Sequence, residues 1–68
     1  MLNARMTVII RELMKAHTPL TSEYLANVLD VTSRTIRNDM KDLESTVSDF
    51  GASIKSIRGT GYQLSILR

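Results

Sequence analysis

The chain has no cysteine and a single histidine among its 68 residues. Without cysteine, neither a disulfide framework nor a thiolate metal site can supplement the core. That absence suits a reducing compartment. His17 has no second imidazole or thiol to join it in a metal cluster or to activate a nucleophile. Near the C-terminal end of a helix, it is simply a favourable partial positive charge. Long apolar runs are missing as well, since none approaches the roughly 18 residues needed to span a bilayer. The opening MLNARMTVIIREL sets arginines around too short an apolar stretch and offers no small-residue cleavage site, so it does not read as a signal peptide. Repeats and low-complexity linkers are also absent. The expectation is one small cytoplasmic domain, not an enzyme, with no cofactor, no metal and no membrane partner. A chain of about 60 residues buries only roughly 60% of its unfolded surface, so modest stability is expected.

Charge of one sign is scarce too. A net +2 is a weak signal for a polyanionic partner, but its distribution is uneven. Residues 50–68 carry Lys55, Arg58 and Arg68 and no acid. Such segregation can give a nearly neutral protein a basic face.

The apolar pattern predicts three helices followed by a hairpin. Asn3 can cap a first helix that runs to about His17, with Met6, Ile9, Ile10, Leu13 and Met14 on its buried face. Thr18-Pro19 ends it, because the residue before proline avoids helical geometry and proline lacks the amide donor. Leu20 can form a one- or two-residue strand. Thr21 or Ser22 caps a short second helix, with Glu23 in its first turn and Leu25, Ala26 and Leu29 inward. The small Ala26 lets the next helix cross close by. Asp30-Val31 makes a bend, with Val31 plugging the core.

Thr32 is the expected N-cap of a third helix from Ser33 to about Asp49. Ile36, Met40, Leu43, Val47 and Phe50 alternate steps of four and three, which is one continuous buried seam. At about 100° per residue, Arg34, Asn38, Lys41 and Ser45 fall opposite that seam and Arg37 beside them, while Asp39, Asp42 and Glu44 fall on the flanks. Gly51 is a candidate C-cap. Ser53–Arg58 is strand-prone, Gly59-Thr60-Gly61 turns, and Tyr62, Leu64 and Ile66 alternate on one face of a returning strand. The fold class is mainly α with a small β-hairpin, in the order of a three-helix winged helix-turn-helix, with 1–68 as one domain.

A helix that reads a DNA groove needs polar side chains near its exposed N-terminal end. Ser33, Arg34, Arg37 and Asn38 are the candidate base-reading residues. Arginine can grip the O6 and N7 of guanine with two hydrogen bonds, and asparagine can do the same with adenine N6 and N7. Thr32, Thr35 and the first helix amides suit backbone phosphate. Lys41, one turn further on, and Lys55, Arg58 and Thr60 in the hairpin are the other candidate backbone contacts. Any one of these residues alone is most often an ordinary solvated side chain. The set, in register with the small Ala26, the bend and the hydroxyl cap, is far more specific. The run IRGTGY fails as a phosphate-cradling loop, because no helix follows it and a lone GxG is weak. Tyr62 reads as a core or shoulder residue, and the methionines as a start residue and core filler. The seven carboxylates are scattered without a pocket.

The pattern LTSEYLANVLDVTSRTIRNDMKDLE, then GASIKSIRGTGYQL, resembles the winged helix-turn-helix at the N-termini of many bacterial transcriptional regulators. It is most like that of phosphotransferase-regulated sugar-operon activators of the mannitol type. DeoR-type repressors share the SRTIRND portion, and biotin-operon repressors share the closing G-x-GY-x-L. The resemblance covers nearly the whole chain. It implies a groove-facing role for Ser33, Arg34, Thr35, Arg37 and Asn38, and a wing role for Arg58, Gly59 and Gly61. These families usually place glycine where Asp30 stands, because the backbone there tends towards positive φ, a region aspartate tolerates. The resemblance also implies an N-terminal fragment of a longer regulator, in keeping with the initiator-like Met1. Sensing and dimerising domains would follow, and the full-length protein would bind a double-stranded operator as a homodimer. RNA antiterminators with the same regulatory domains are a poorer model, since their RNA-binding unit is β-rich.

Two other readings stay open. A winged helix can be a protein-docking unit, which would call for apolar residues at Arg34, Arg37 and Asn38. The chain could also be the DNA-binding part of a biotin-ligase-type repressor, which the downstream sequence would decide.

Overall fold

Three helices and a hairpin follow one another along residues 3–66, the part of the chain that the computed structural model describes. They are α1 (Ala4–Lys15), α2 (Ser22–Leu29), α3 (Ser33–Ser48), β1 (Ala52–Ile57) and β2 (Gly61–Ile66). Met1 and Arg68, both singled out from the sequence, lie outside the described residues.

Each helix begins at a side chain that takes up an amide left unpaired by the first turn. Asn3 Oδ1 accepts from the N–H of Met6 at 2.8 Å. Thr21 Oγ1 accepts from Tyr24 at 3.0 Å, and Thr32 Oγ1 from Thr35 at 3.1 Å. Such caps contribute about 1 kcal/mol each. α1 stops at Lys15, two residues short of His17, and Ala16 is already extended. The chain leaves the helix early because Leu20 must reach β2, where it forms an antiparallel bridge with Tyr62. The two amide–carbonyl bonds of that bridge measure 2.9 and 2.7 Å.

Ile9, Leu25, Ile36 and Leu43 are the fully buried centre of the core. Burying a side chain of this kind stabilises by about 1.5–3 kcal/mol. Met6, Leu13, Ala26, Met40, Val47, Ala52 and Ile54 close around them, and Leu20, Leu29, Val31, Tyr62 and Leu64 pack at the margin. Ala26 is buried as expected, and Asp30 takes the left-handed conformation, φ 56° and ψ 47°. The N–H of Val31 returns to the carbonyl of Ala26 at 3.0 Å. That bond closes the left-handed helix end and starts the turn into α3.

Three residues expected inside are outside. Met14 is 67% exposed, Phe50 79% and Ile66 64%. The α1 face is centred near Met6 and Leu13, which leaves Met14 about 90° round the helix from it. Beyond Ser48 the amides of Asp49, Phe50 and Gly51 bond to carbonyls three residues back. That tighter winding breaks the seam and turns Phe50 out to solvent. Asp49, not Gly51, is the helix C-cap, and Gly51, at φ 80°, starts the reversal into β1. Ile66 stands opposite Ala52 at the open end of the hairpin, where the small Ala52 is the partner that enters the core.

The strands sit one residue earlier than the propensity pattern suggests. β1 starts at Ala52 and ends at Ile57, so the connecting loop is Arg58-Gly59-Thr60 and Gly61 already pairs with Ile57. The N–H of Thr60 closes the turn on the carbonyl of Ile57 at 2.9 Å. Gly59 has φ 77°, which this turn position demands.

Candidate nucleic-acid interface

The exposed side of α3 begins at its capped end. Thr32 and Thr35 turn their hydroxyls on each other, 3.0 Å apart. This locks the first turn and leaves Ser33 and Thr35 half-buried beside it. Arg34, Arg37, Asn38 and Lys41 are exposed, as the helical wheel requires of positions away from the Ile36–Val47 seam. Arg37 Nη1 donates back one turn to Ser33 Oγ at 3.4 Å, a long bond that draws the guanidinium towards the helix start.

The hairpin stands beside this helix. Arg37, Met40, Lys41 and Glu44 form one wall of a groove whose other wall is Ile54, Ser56 and Tyr62. Its floor is apolar, from Met40, Ile54 and Tyr62, and its α3 rim is charged. Glu44 shares the rim with two cations. A second crevice lies between the loop residues Arg58, Gly59 and Thr60 and the start of α2 at Thr21, Ser22 and Glu23. Arg58 and Thr60 are both exposed there.

Cross-strand partners share a face of a sheet. Lys55 pairs with Gln63 and follows the buried Ile54, so it lies on the outer face of the hairpin. The fold therefore brings together Thr32, Ser33, Arg34, Thr35, Arg37, Asn38 and Lys41 on α3. Arg58 and Thr60 lie instead at the loop beside the start of α2, and Lys55 is on the outer hairpin face.

Among the described residues, ion pairs form only at Arg5–Asp39 and Lys15–Glu12, both using bases of α1. Glu44 shares the groove rim with Arg37 and Lys41, but among the described residues Arg34, Arg37, Lys41, Lys55 and Arg58 have no acid within ion-pair distance. Exposed bases left free in this way remain available to an external anion; on α1, Arg5 and Lys15 are engaged, while Arg11 forms no ion pair among the described residues.

The Arg5–Asp39 pair had no place in the sequence reading, which left Asp39 on a solvated flank. Asp39 is buried, and Arg5 approaches it with Nε and Nη2, the latter 3.0 Å from Oδ1. The bond to Asp39, and then its negative charge, raise the pKa of Arg5, with burial opposing. A signal did exist. Asp39 lies only about 60° from Ile36 around α3, and Arg5 about 40° from Ile9 around α1. Each therefore sits at the edge of a buried face, where a charge needs a partner.

Among the described residues, no group of three or more histidine, cysteine, aspartate or glutamate side chains could hold a metal ion. No described helix is long and apolar enough to cross a membrane.

The HTH domain family matches this chain over residues 5–63. A protein of Bacillus subtilis (strain 168) described as a probable licABCH operon regulator is 48% identical over 66 residues. The match takes in 97% of this chain and 10% of that protein, so the chain spans about a tenth of its relative's length. No solved structure gives a significant match.

Proposed function

This chain belongs to the HTH domain family, and on that footing we propose that it reads double-stranded DNA for a bacterial transcriptional regulator. α3 enters the major groove, and the hairpin wing rests on the adjoining backbone or minor groove. The observation that carries this reading is the row of exposed, unpaired polar side chains on the N-terminal half of α3, on the side away from the core. Ser33, Arg34, Arg37 and Asn38 read bases, with Arg37 the strongest candidate for guanine. Thr32, Thr35 and Lys41 meet phosphate, and Arg58 and Thr60 do so from the wing tip. Lys55, on the outer hairpin face, reaches phosphate only where the backbone curves around the wing. The regulated target is an operon, by likeness to the Bacillus relative, and the resemblance to phosphotransferase-regulated activators makes it one for sugar uptake or metabolism. On this reading the protein acts in the cytoplasm as a homodimer.

The test is selection of a consensus from a randomised duplex pool, followed by fluorescence anisotropy at several salt concentrations. The consensus should bind more tightly than random duplex, with a negative log–log salt slope. Arg37→Ala should weaken consensus binding by about 1–3 kcal/mol and relax the preference at one base. An equal loss on random duplex would remove Arg37 from the base readers. Binding without any consensus would leave only phosphate contact standing.

A further inference from the structure

The Arg5–Asp39 pair joins α1 to α3 on the side away from the groove, and stability alone does not account for its design. Asp39 is 5% exposed, and both of its carboxylate oxygens are engaged by one guanidinium across 34 residues of chain. Taking the Asp39 carboxylate out of water is costly, and the Arg5 side chain that meets it stays 37% exposed, so the pair adds little to stability by itself. What a two-pronged arginine–carboxylate contact adds is orientation.

We infer that Arg5 and Asp39 are positioning residues for DNA reading: their ion pair fixes the roll of α3 about its axis, and so which side chains confront the bases. This rests on the reading of α3 as a groove-entering helix. α3 packs mainly on α2 and β1, whereas α1 lies mainly against α2 and β2. The ion pair is therefore the directional tie between α1 and α3, because apolar packing has no preferred direction. Asp39 follows Asn38 directly, so any rotation at Asp39 is passed on to Asn38 and, one turn away, to Arg34. A roll of about 10° at the roughly 5–6 Å radius of a helix with side chains moves a groove-facing atom by about 1 Å. That displacement spoils a bidentate base contact, whose hydrogen bonds hold only within a few tenths of an ångström. Phosphate contacts by flexible bases absorb it.

Arg5→Lys isolates the effect, since lysine keeps the charge and loses the fork. The wild-type chain first selects a consensus duplex from a randomised pool. Consensus and random duplexes are then titrated with wild type, Arg5→Lys, and Ile9→Val as a core variant with a comparable loss of melting temperature. All are held below their melts, as followed by circular dichroism. Arg5→Lys should lower the consensus-to-random ratio about three- to tenfold, with affinity for random duplex and its salt slope unchanged. Ile9→Val should keep the wild-type ratio. Should Arg5→Lys not fold at the assay temperature, Asp39→Glu, which keeps both charges but shifts the carboxylate by a methylene, takes its place with the same expected drop. A folded variant that keeps the wild-type ratio overturns the positioning role while leaving DNA reading intact. A wild-type chain that selects no consensus overturns both, and it does so before any variant is measured.

Discussion

The bend between α2 and α3 and the tip of the hairpin both pass through positive φ, the first at an aspartate and the second at two glycines. Asp30 is exposed, and its left-handed backbone only has to end one helix and aim the next. The hairpin's glycines do different work from each other. A side chain at Gly59 would meet nothing within 4 Å, so that position asks only for a conformation. A side chain at Gly61 would run into the backbone of Leu20 and come within 2.9 Å of the amide nitrogen of Thr21. A positive φ is an affordable cost for an aspartate, whereas a backbone-to-backbone approach admits no side chain at all. The helix-turn-helix is thus held by packing and capping, and the wing by contact so close that one hydrogen atom fills the gap.

That contrast makes an ordered set of expectations. Gly61→Ala should have the largest effect, a loss of about 2–5 kcal/mol from overpacking and backbone strain together. Urea unfolding would read it, and a loss below about 1 kcal/mol would mean that Leu20 can move aside. Gly59→Ala should cost about 1 kcal/mol, the left-handed penalty alone, read by the same urea unfolding. If it matched Gly61→Ala, the distinction between conformation and close approach would collapse. Asp30→Gly should be the smallest change, a gain of about 0.5 kcal/mol as relief of strain is partly offset by a freer unfolded chain. A loss instead would show that the Asp30 side chain supports the bend in its own right.

The sequence disclosed whatever depends on near neighbours. Asn3 and Thr32 are read correctly as caps, and Thr21 as one of two candidates beside Ser22, because capping is decided within four residues. Leu25, Ala26, Ile36 and Leu43 are read correctly as core because the helical period runs unbroken through them. Met14, Phe50 and Ile66 fail for a common reason. Each lies at the margin of an element, where apolar character continues after the period or the cover has stopped. The exposed face of α3 was legible from the wheel, including Arg34, Arg37, Asn38 and Lys41. The outward side of Lys55 was not, because the strand boundary had to be known before its face could be assigned. Arg5 and Asp39 stayed hidden for another reason: a helical wheel gives each residue's angle and says nothing about which other helix will meet it there.

The bridge at Leu20 and Tyr62 has a consequence in time. It joins the chain just after α1 to the start of the last strand, so its two hydrogen bonds span the helix-turn-helix and most of the hairpin. α2 with α3, and β1 with β2, can each assemble from adjacent stretches of chain, but the bridge needs both units already in place. Contacts of such long sequence separation form late and make folding slower than local ones do. The amides of Leu20 and Tyr62 are therefore a clock set into the molecule: the rate at which they exchange with solvent counts how often the wing lets go of the helices.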